Sequence, residues 1–369
     1  MTDLLVRAAE GGPLSLEEMA ALIALEEEKA CQQLYQAAYA VKSRYVGRQV
    51  YLRGLIEYAN ICARNCLYCG IRRDNRKIRR FTLSLEEILQ AAGLAHLYGY
   101  GSVVLQGGER SDAGAVDFIE EAVRRIHGQY PDLGITLSCG EQDISVYRRW
   151  KAAGAARYLL RIETSSRELF YRIHPAENDF DARLQALKDL RTAGYQVGSG
   201  VMIGLPGQTA LDLARDVMFF RDMDLDMIGM GPWIPQHDAP LADETPETPE
   251  KAARRFQLGL NMIAVVRLVL KDVNIAAATA LQALRPADGR ELGLLAGANV
   301  IMPNVGDVVH REDYQLYDGK PDLDENAENI RQALNDSVAR IGESIATFVP
   351  GTPRHYLERT ENKPSLSEL

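Results

Sequence analysis

The sequence predicts an α/β fold: a full (β/α)8 barrel with a helical extension before it and a helix after it. Three observations carry this. From residue 50 onward, strand-like and helix-like segments alternate until eight strands have passed. Several of the helical runs are entered through Ser, Thr or Asp and left through Gly, as helix caps prefer. The chemically unusual residues fall just after the predicted strands, where a barrel carries its functional loops. The expected organisation is an extension over 1–47, a barrel over 48–305, and a closing segment with a helix and tail over 306–369.

In order, residues 1–47 read as helical, with Ser15 and Glu18 spaced as a capping box before an apolar-periodic stretch. Strands are expected at 50–60, 102–109, 134–141, 157–163, 197–207, 226–235, 274–280 and 298–304. Helices are expected at 83–99, 115–128, 144–154, 181–194, 210–223 and 249–270. After the last strand a helix is expected over 324–348. The polar tail that follows has little to bury and is expected to fray.

A chain of 369 residues with 46% hydrophobic and 25% charged residues can bury a sizeable core. Its net charge of −9 argues against a nucleic-acid surface. The acidic N-terminus lacks a long apolar run, so neither an export signal nor a membrane span is expected. A cytoplasmic, anaerobic setting follows as the expectation.

Three of the five cysteines, Cys62, Cys66 and Cys69, stand at spacing C-x3-C-x2-C directly after the first strand. A disulfide would leave an odd thiol, and no second pair of ligands suits structural zinc. Three thiolates suit a [4Fe–4S] cluster whose fourth iron stays open to a small molecule. With Tyr68 before the last cysteine, the loop resembles the radical S-adenosylmethionine (SAM) superfamily. That resemblance implies that the cluster chelates SAM and delivers the electron that cleaves it to a 5′-deoxyadenosyl radical. A chance cluster of buried cysteines is the alternative. Cys31 and Cys139 read as small buried residues.

Further residues with chemistry lie at the predicted strand ends. Gly107, Gly108 and Glu109 close the second strand, offering backbone that a ligand can approach and a carboxylate for an amine. In the fourth strand Arg157, Leu159, Arg161 and Glu163 share a face by alternation, which is oriented here toward the cavity. They serve either as a structural ion-pair layer or as a site in which Glu163 holds a ribose and Arg161 attracts an anion. Glycines around the fifth strand, Gly204 among them, mark a tight turn where adenine fits against backbone, or else a crowded barrel corner. Arg183 is a candidate fork for the SAM carboxylate, or a solvated helix residue. His174, His237 and His310 fall in loops with no ligand spacing, and each reads as ordinary.

The runs NICARNCLYCGIRRDN, RYLLRIETS, GVMIGLPGQT, DMIGMGPWIPQHDAPLA, GANVIMPN and YQLYDGK together resemble the HydE family of [FeFe]-hydrogenase maturases. The resemblance covers about residues 45–320. It implies a full barrel, a cluster on Cys62, Cys66 and Cys69, SAM held by Glu163 and Arg183, and a substrate cavity lined by Arg157, Arg161, Thr279, Met302, Tyr314 and Tyr317. Gln106 and Ser138 join these as substrate-facing candidates. It also implies an iron–cysteine carbonyl/cyanide complex as substrate, HydG and HydF as pathway partners, and a reductant such as ferredoxin or flavodoxin. Two departures remove hydroxyls from that cavity, Ala278 where the family often has Thr and Gly107 where it often has Ser. No cysteine beyond 139 could hold an accessory cluster. Rival readings are a methylornithine synthase (PylB) or biotin-synthase type of enzyme on a small organic substrate, and an iron–sulfur scaffold or electron carrier without radical chemistry.

Overall fold

The computed structural model describes residues 2–244, 246–306, 308–321 and 326–361. Its strands are β1 Gln49–Ala59, β2 Ser102–Gly107, β3 Gly134–Ser138, β4 Arg157–Leu159, β5 Gln196–Ser199, β6 Met202–Ile203, β7 Met227–Ile228, β8 Gly231–Pro232, β9 Asn274–Ile275, β10 Val300–Ile301 and β11 Ser344–Ala346. Eight of these pair in parallel in the order β10-β1-β2-β3-β4-β5-β7-β9. Helices cross between them, as parallel pairing demands.

The sheet curls until its end strands meet at one isolated parallel bridge, Ala276 to Val300. There Ala277 N donates to Val300 O and Asn299 N to Ile275 O, each at 2.9 Å. The architecture is thus a curled eight-stranded parallel sheet whose last seam is a single bridge, where the sequence predicts a continuous closed ladder. The predicted fifth and sixth strands are each broken in two. Gly200 lies so near its neighbour that an added Cβ would fall 1.9 Å from Gly229 O, and beyond this pinch β6 pairs only with β8.

Helices Thr2–Ala9, Leu16–Ile23 and Glu28–Tyr45 form the extension, and the Ser15/Glu18 capping box is present. Lys42 from this layer is fully buried, donating to Glu343 Oε1 at 2.6 Å and to Leu294 O at 3.0 Å. Burial pushes its pKa down to about 8, because the charged form gives up hydration. The pair ties the first fifty residues to the last fifty.

The helix predicted over 324–348 corresponds to Ala327–Arg340, since Gly342 then turns the chain with φ +74° and β11 pairs alongside β1. The tail predicted to fray instead carries the helix Arg354–Glu361, docked by charge. Arg359 reaches Asp224 at 2.9 Å and Asp226 at 2.8 Å, and His355 Nε2 pairs with Asp224 Oδ1 at 2.7 Å. Residues 362–369 of that tail lie outside the described residues. Among the described residues no helix is long and apolar enough to cross a membrane.

Candidate cluster and SAM site

β1 is long and buried, and it delivers Cys62, Cys66 and Cys69 to the C-terminal rim of the sheet. The loop is fixed by one side chain above all. Arg80 donates to the carbonyls of Asn60 at 2.6 Å, Ile71 at 2.8 Å, Arg72 at 2.6 Å, Arg73 at 3.3 Å and Asn75 at 2.9 Å. Asn75 Nδ2 adds a bond to Gly70 O at 2.7 Å, and Leu67 N donates to Ile173 O at 3.0 Å. Loop backbone that helix or sheet would otherwise satisfy is satisfied here by a guanidinium fork.

All three cysteines are free and half-buried. Enclosure by protein raises each thiol, Cys66 to about 12, and for Cys66 the Arg183 charge is the main opposing influence. Among the described residues no three His, Cys, Asp or Glu side chains converge on one metal ion. A cubane spreads its thiolates over separate irons, and three uncrossed thiols with no fourth fit that demand.

Facing the loop is an alternating charge quartet. Arg64 pairs with Glu109 through Nε and with Glu141 at 2.9 Å, while Arg183 pairs with Glu141 through Nε and lies 3.8 Å from Glu109 Oε2. Arg183 Nη1 donates to Arg161 O at 2.7 Å, which leaves its Nη2 arm beyond hydrogen-bond reach of Glu109. Burial raises the Glu163 carboxyl, opposed by Arg161 and Arg183. Its Oε2 stands 2.8 Å from Arg161 Nη2 in poor alignment for a hydrogen bond, so acceptor capacity remains. Glu163 also has φ +67°, held by its N–H on Gly200 O and its carbonyl on Met202 N, both at 3.0 Å. Strain of this sort collects at functional sites. An open guanidinium arm for a carboxylate and an open carboxylate for hydroxyls are what SAM would need from these residues.

Other expected residues are distributed as follows. Tyr68 touches His174, its OH 3.4 Å from Nε2, and His174 is pushed down to about 3 by burial and Arg183. Gln106 and Ser138 are register partners at the rim, and Gln106 donates to the buried Tyr314 OH at 3.3 Å. Met302 lines a small internal cavity of about 20 Å³ beneath, with Arg53 and Thr136. Thr279 and Tyr317 are half-buried.

Three placements differ from expectation. Alternation along the fourth strand ends at Leu159, because Glu163 adopts a positive φ, and Arg157 lies at the opposite end, bonded to Pro350 O and Thr352 under the sheet. The spaces beside the three cofactor glycines belong to protein. A Cβ on Gly107 would meet the Tyr58 ring at 2.5 Å, one on Gly108 would meet Ile61 O at 2.3 Å, and one on Gly204 would meet Arg255 at 2.5 Å. Gly107 is therefore matched to Tyr58, which explains the missing hydroxyl there. Glu109 is occupied by Arg64 rather than presented free. Cys139 is buried as expected, its Sγ 3.8 Å from Leu105 O.

Sequence reading passed over Arg64, Arg80 and Glu141 as site members, although Glu141 carried a signal in its position at the end of the third strand. It also passed over Glu57, which Lys320 grips at 2.5 and 2.6 Å beside Tyr314.

Behind Glu163, Asp216 accepts from Ser165 N and Oγ, both at 2.6 Å, and its other oxygen has no partner. Burial raises it from 3.8 to about 7. The folded value exceeds the unfolded one, so its stabilising contribution is whole below about pH 4 and lost as pH rises through about 7. Urea unfolding of Asp216→Asn should gain on wild type by roughly 1.4 kcal/mol per pH unit between about pH 4 and 7, then level off. A difference that stays flat with pH would count against this burial.

A curled parallel sheet with three cysteines on its first rim loop and a carboxylate–guanidinium wall opposite defines a radical SAM enzyme, and residues 56–220 match the Radical SAM superfamily. The chain is 43% identical over 287 residues to the [FeFe] hydrogenase maturase subunit HydE of Thermotoga maritima, covering 78% of this chain and 79% of that protein. It belongs to the HydE family. Among solved structures, methylornithine synthase (PylB) superposes with TM-score 0.78 at 25% identity, covering 94% of this chain and 98% of that one. The maturase HydG of Carboxydothermus hydrogenoformans superposes with TM-score 0.77 at 20% identity, covering 96% and 81%, and it supports the fold alone.

Proposed function

We propose that this chain is the HydE-type step of [FeFe]-hydrogenase maturation, acting on an iron–cysteine carbonyl/cyanide complex supplied by HydG on the way to HydF, with a ferredoxin or flavodoxin as reductant, in an anaerobic cytoplasm. The observation that carries the chemistry is the three-cysteine loop facing Glu163 and the open arm of Arg183. When bound, a [4Fe–4S] cluster would supply the electron for reductive SAM cleavage. Cys62, Cys66 and Cys69 would hold it, Arg183 would bind the SAM carboxylate, and Glu163 its ribose. Gln106 is hydrogen-bonded to Tyr314 and Lys320 to Glu57, so a polar substrate would find donors and acceptors there already ordered. The 43% identity to HydE supports this maturation reading over the PylB alternative. We read the curled sheet as the family's full barrel spanning 48–305, with 1–47 and 306–369 as its extension and closing segment.

The test is anaerobic. Cluster-reconstituted, reduced protein given SAM should form 5′-deoxyadenosine, and addition of the iron–cysteine complex should raise the rate. Cleavage that ignores the complex but responds to an amino-acid substrate would transfer the chain to the PylB reading.

A further inference from the structure

Beyond β10 the chain runs through residues 311–320 in turns and bends, with neither helix nor strand. Backbone of this kind finds its partners in side chains and neighbouring loops. Asp313 O accepts from Asn60 Nδ2 at 2.8 Å, and Leu316 O accepts from Gly70 N at 3.2 Å. A Cβ on Gly70 would stand 2.0 Å from Gln315 O, so this strap lies directly on the residue after Cys69. Farther along, Asp318 N donates to Pro235 O at 3.1 Å, and Asp318 Oδ2 accepts from His237 N at 3.0 Å.

The end of the strap is a buried ion pair. The side chains of Lys320 and Glu57 are 9% and 5% exposed. Lys320 Nζ donates to Glu57 Oε1 at 2.5 Å, to Glu57 Oε2 at 2.6 Å and to Tyr314 O at 3.1 Å, which uses all three hydrogens of the ammonium. The same ammonium stands 5.2 Å from the centroid of the Tyr314 ring, within cation–π range. Glu57 Oε2 accepts in addition from Asn304 Nδ2 at 2.8 Å. Tyr314 is thus fixed at its backbone by Lys320 and at its hydroxyl by Gln106 Nε2, 3.3 Å away. For stability alone an apolar pair of the same volume often serves as well as a buried ion pair. What the charged pair adds is direction, because its bonds allow one placement of the strap backbone against β1. We infer that Lys320 and Glu57 are positioning residues for the substrate step: their pair clamps the strap onto β1 and sets the Tyr314 hydroxyl beside Gln106 at the end of β2. For the identity of that substrate the inference rests on the HydE-type reading.

The experiment compares reconstituted wild type with Glu57→Gln/Lys320→Met. Glutamine keeps an acceptor for Asn304 and methionine replaces the lysine stem, so no charge is left buried alone. Without substrate, the amides of 311–320 should exchange hydrogen at least about 10-fold faster in the variant, with those of β1 and β2 unchanged. Formation of 5′-deoxyadenosine is then followed against the iron–cysteine complex and, separately, against SAM. The variant's kcat/KM for the complex should fall by more than about 10-fold, with cluster iron retained and KM for SAM within about twofold of wild type. Unchanged exchange, an unchanged kcat/KM for the complex, or equal losses for the complex and SAM would overturn the positioning role. A wild type that the complex fails to stimulate counts against the functional reading instead, and the exchange result then decides the clamp. Should the double variant fail to fold, Glu57→Gln alone, which weakens the pair to a neutral acceptor, is read by the same measurements.

Discussion

Cys66→Ala should abolish 5′-deoxyadenosine formation, while Cys139→Ala and Cys31→Ala should leave it near the wild-type level. The difference follows from where the sulfurs stand. Cys66 is the middle thiol of the rim loop, in the field of Arg183, whereas Cys139 is packed against Leu105 and Cys31 donates to Leu25 O inside the helical extension. Only thiolates bind the cluster, and with three ligands in total the loss of one leaves no set able to retain a cubane. Changes one layer outside a metal's ligands typically cost 10–100-fold, so loss of a ligand should exceed about 100-fold in product per protein. Iron content and the visible absorbance of the cluster should fall with it. If Cys139→Ala lost as much product as Cys66→Ala with its iron intact, the rim loop would not be the centre of the chemistry.

The strands were readable in the chain because buried parallel strands leave dense apolar runs between capped helices. The first four expected starts lie within a residue of β1 to β4. What escaped was set by contacts between distant segments. Alternation assigned Arg157 and Glu163 to one face, and it fails where a positive φ turns Glu163 toward the rim, a conformation fixed by Gly200 and Met202. β11 was hidden inside an apparent helix, because Gly342 ends the helix only when β1 offers an edge to pair with. The quartet of Arg64, Glu109, Glu141 and Arg183 joins four separate loops and helices, so no local spacing announces it. The cysteines were legible for the opposite reason. Their ligands must converge within one loop, and that requirement is written in sequence spacing.

Arg80→Met is expected to leave a folded barrel that reconstitutes poorly, with cluster content and SAM cleavage both reduced by more than about 10-fold. Five carbonyls of the loop segment 60–75 point at this one guanidinium. Methionine fills much of the same volume but donates nothing, so each carbonyl must turn to water or to a strained partner. Bonds to a charged donor contribute about 1.5–3 kcal/mol each, and even a fraction of five such terms exceeds what a half-exposed loop can lose while holding its conformation. The barrel itself is spared, because Arg80 lies outside the strands and its acceptors are confined to the loop. Arg80→Lys separates charge from geometry. A lysine keeps the positive charge near Cys62 and Cys69 but has three donors on a single nitrogen, too few and too closely grouped for five carbonyls. Lysine should therefore recover only a minor part of the loss. Full recovery would mean that Arg80 serves the cluster's charge, and the loop would then owe its shape to bonds such as that from Asn75 Nδ2 to Gly70 O within the same segment.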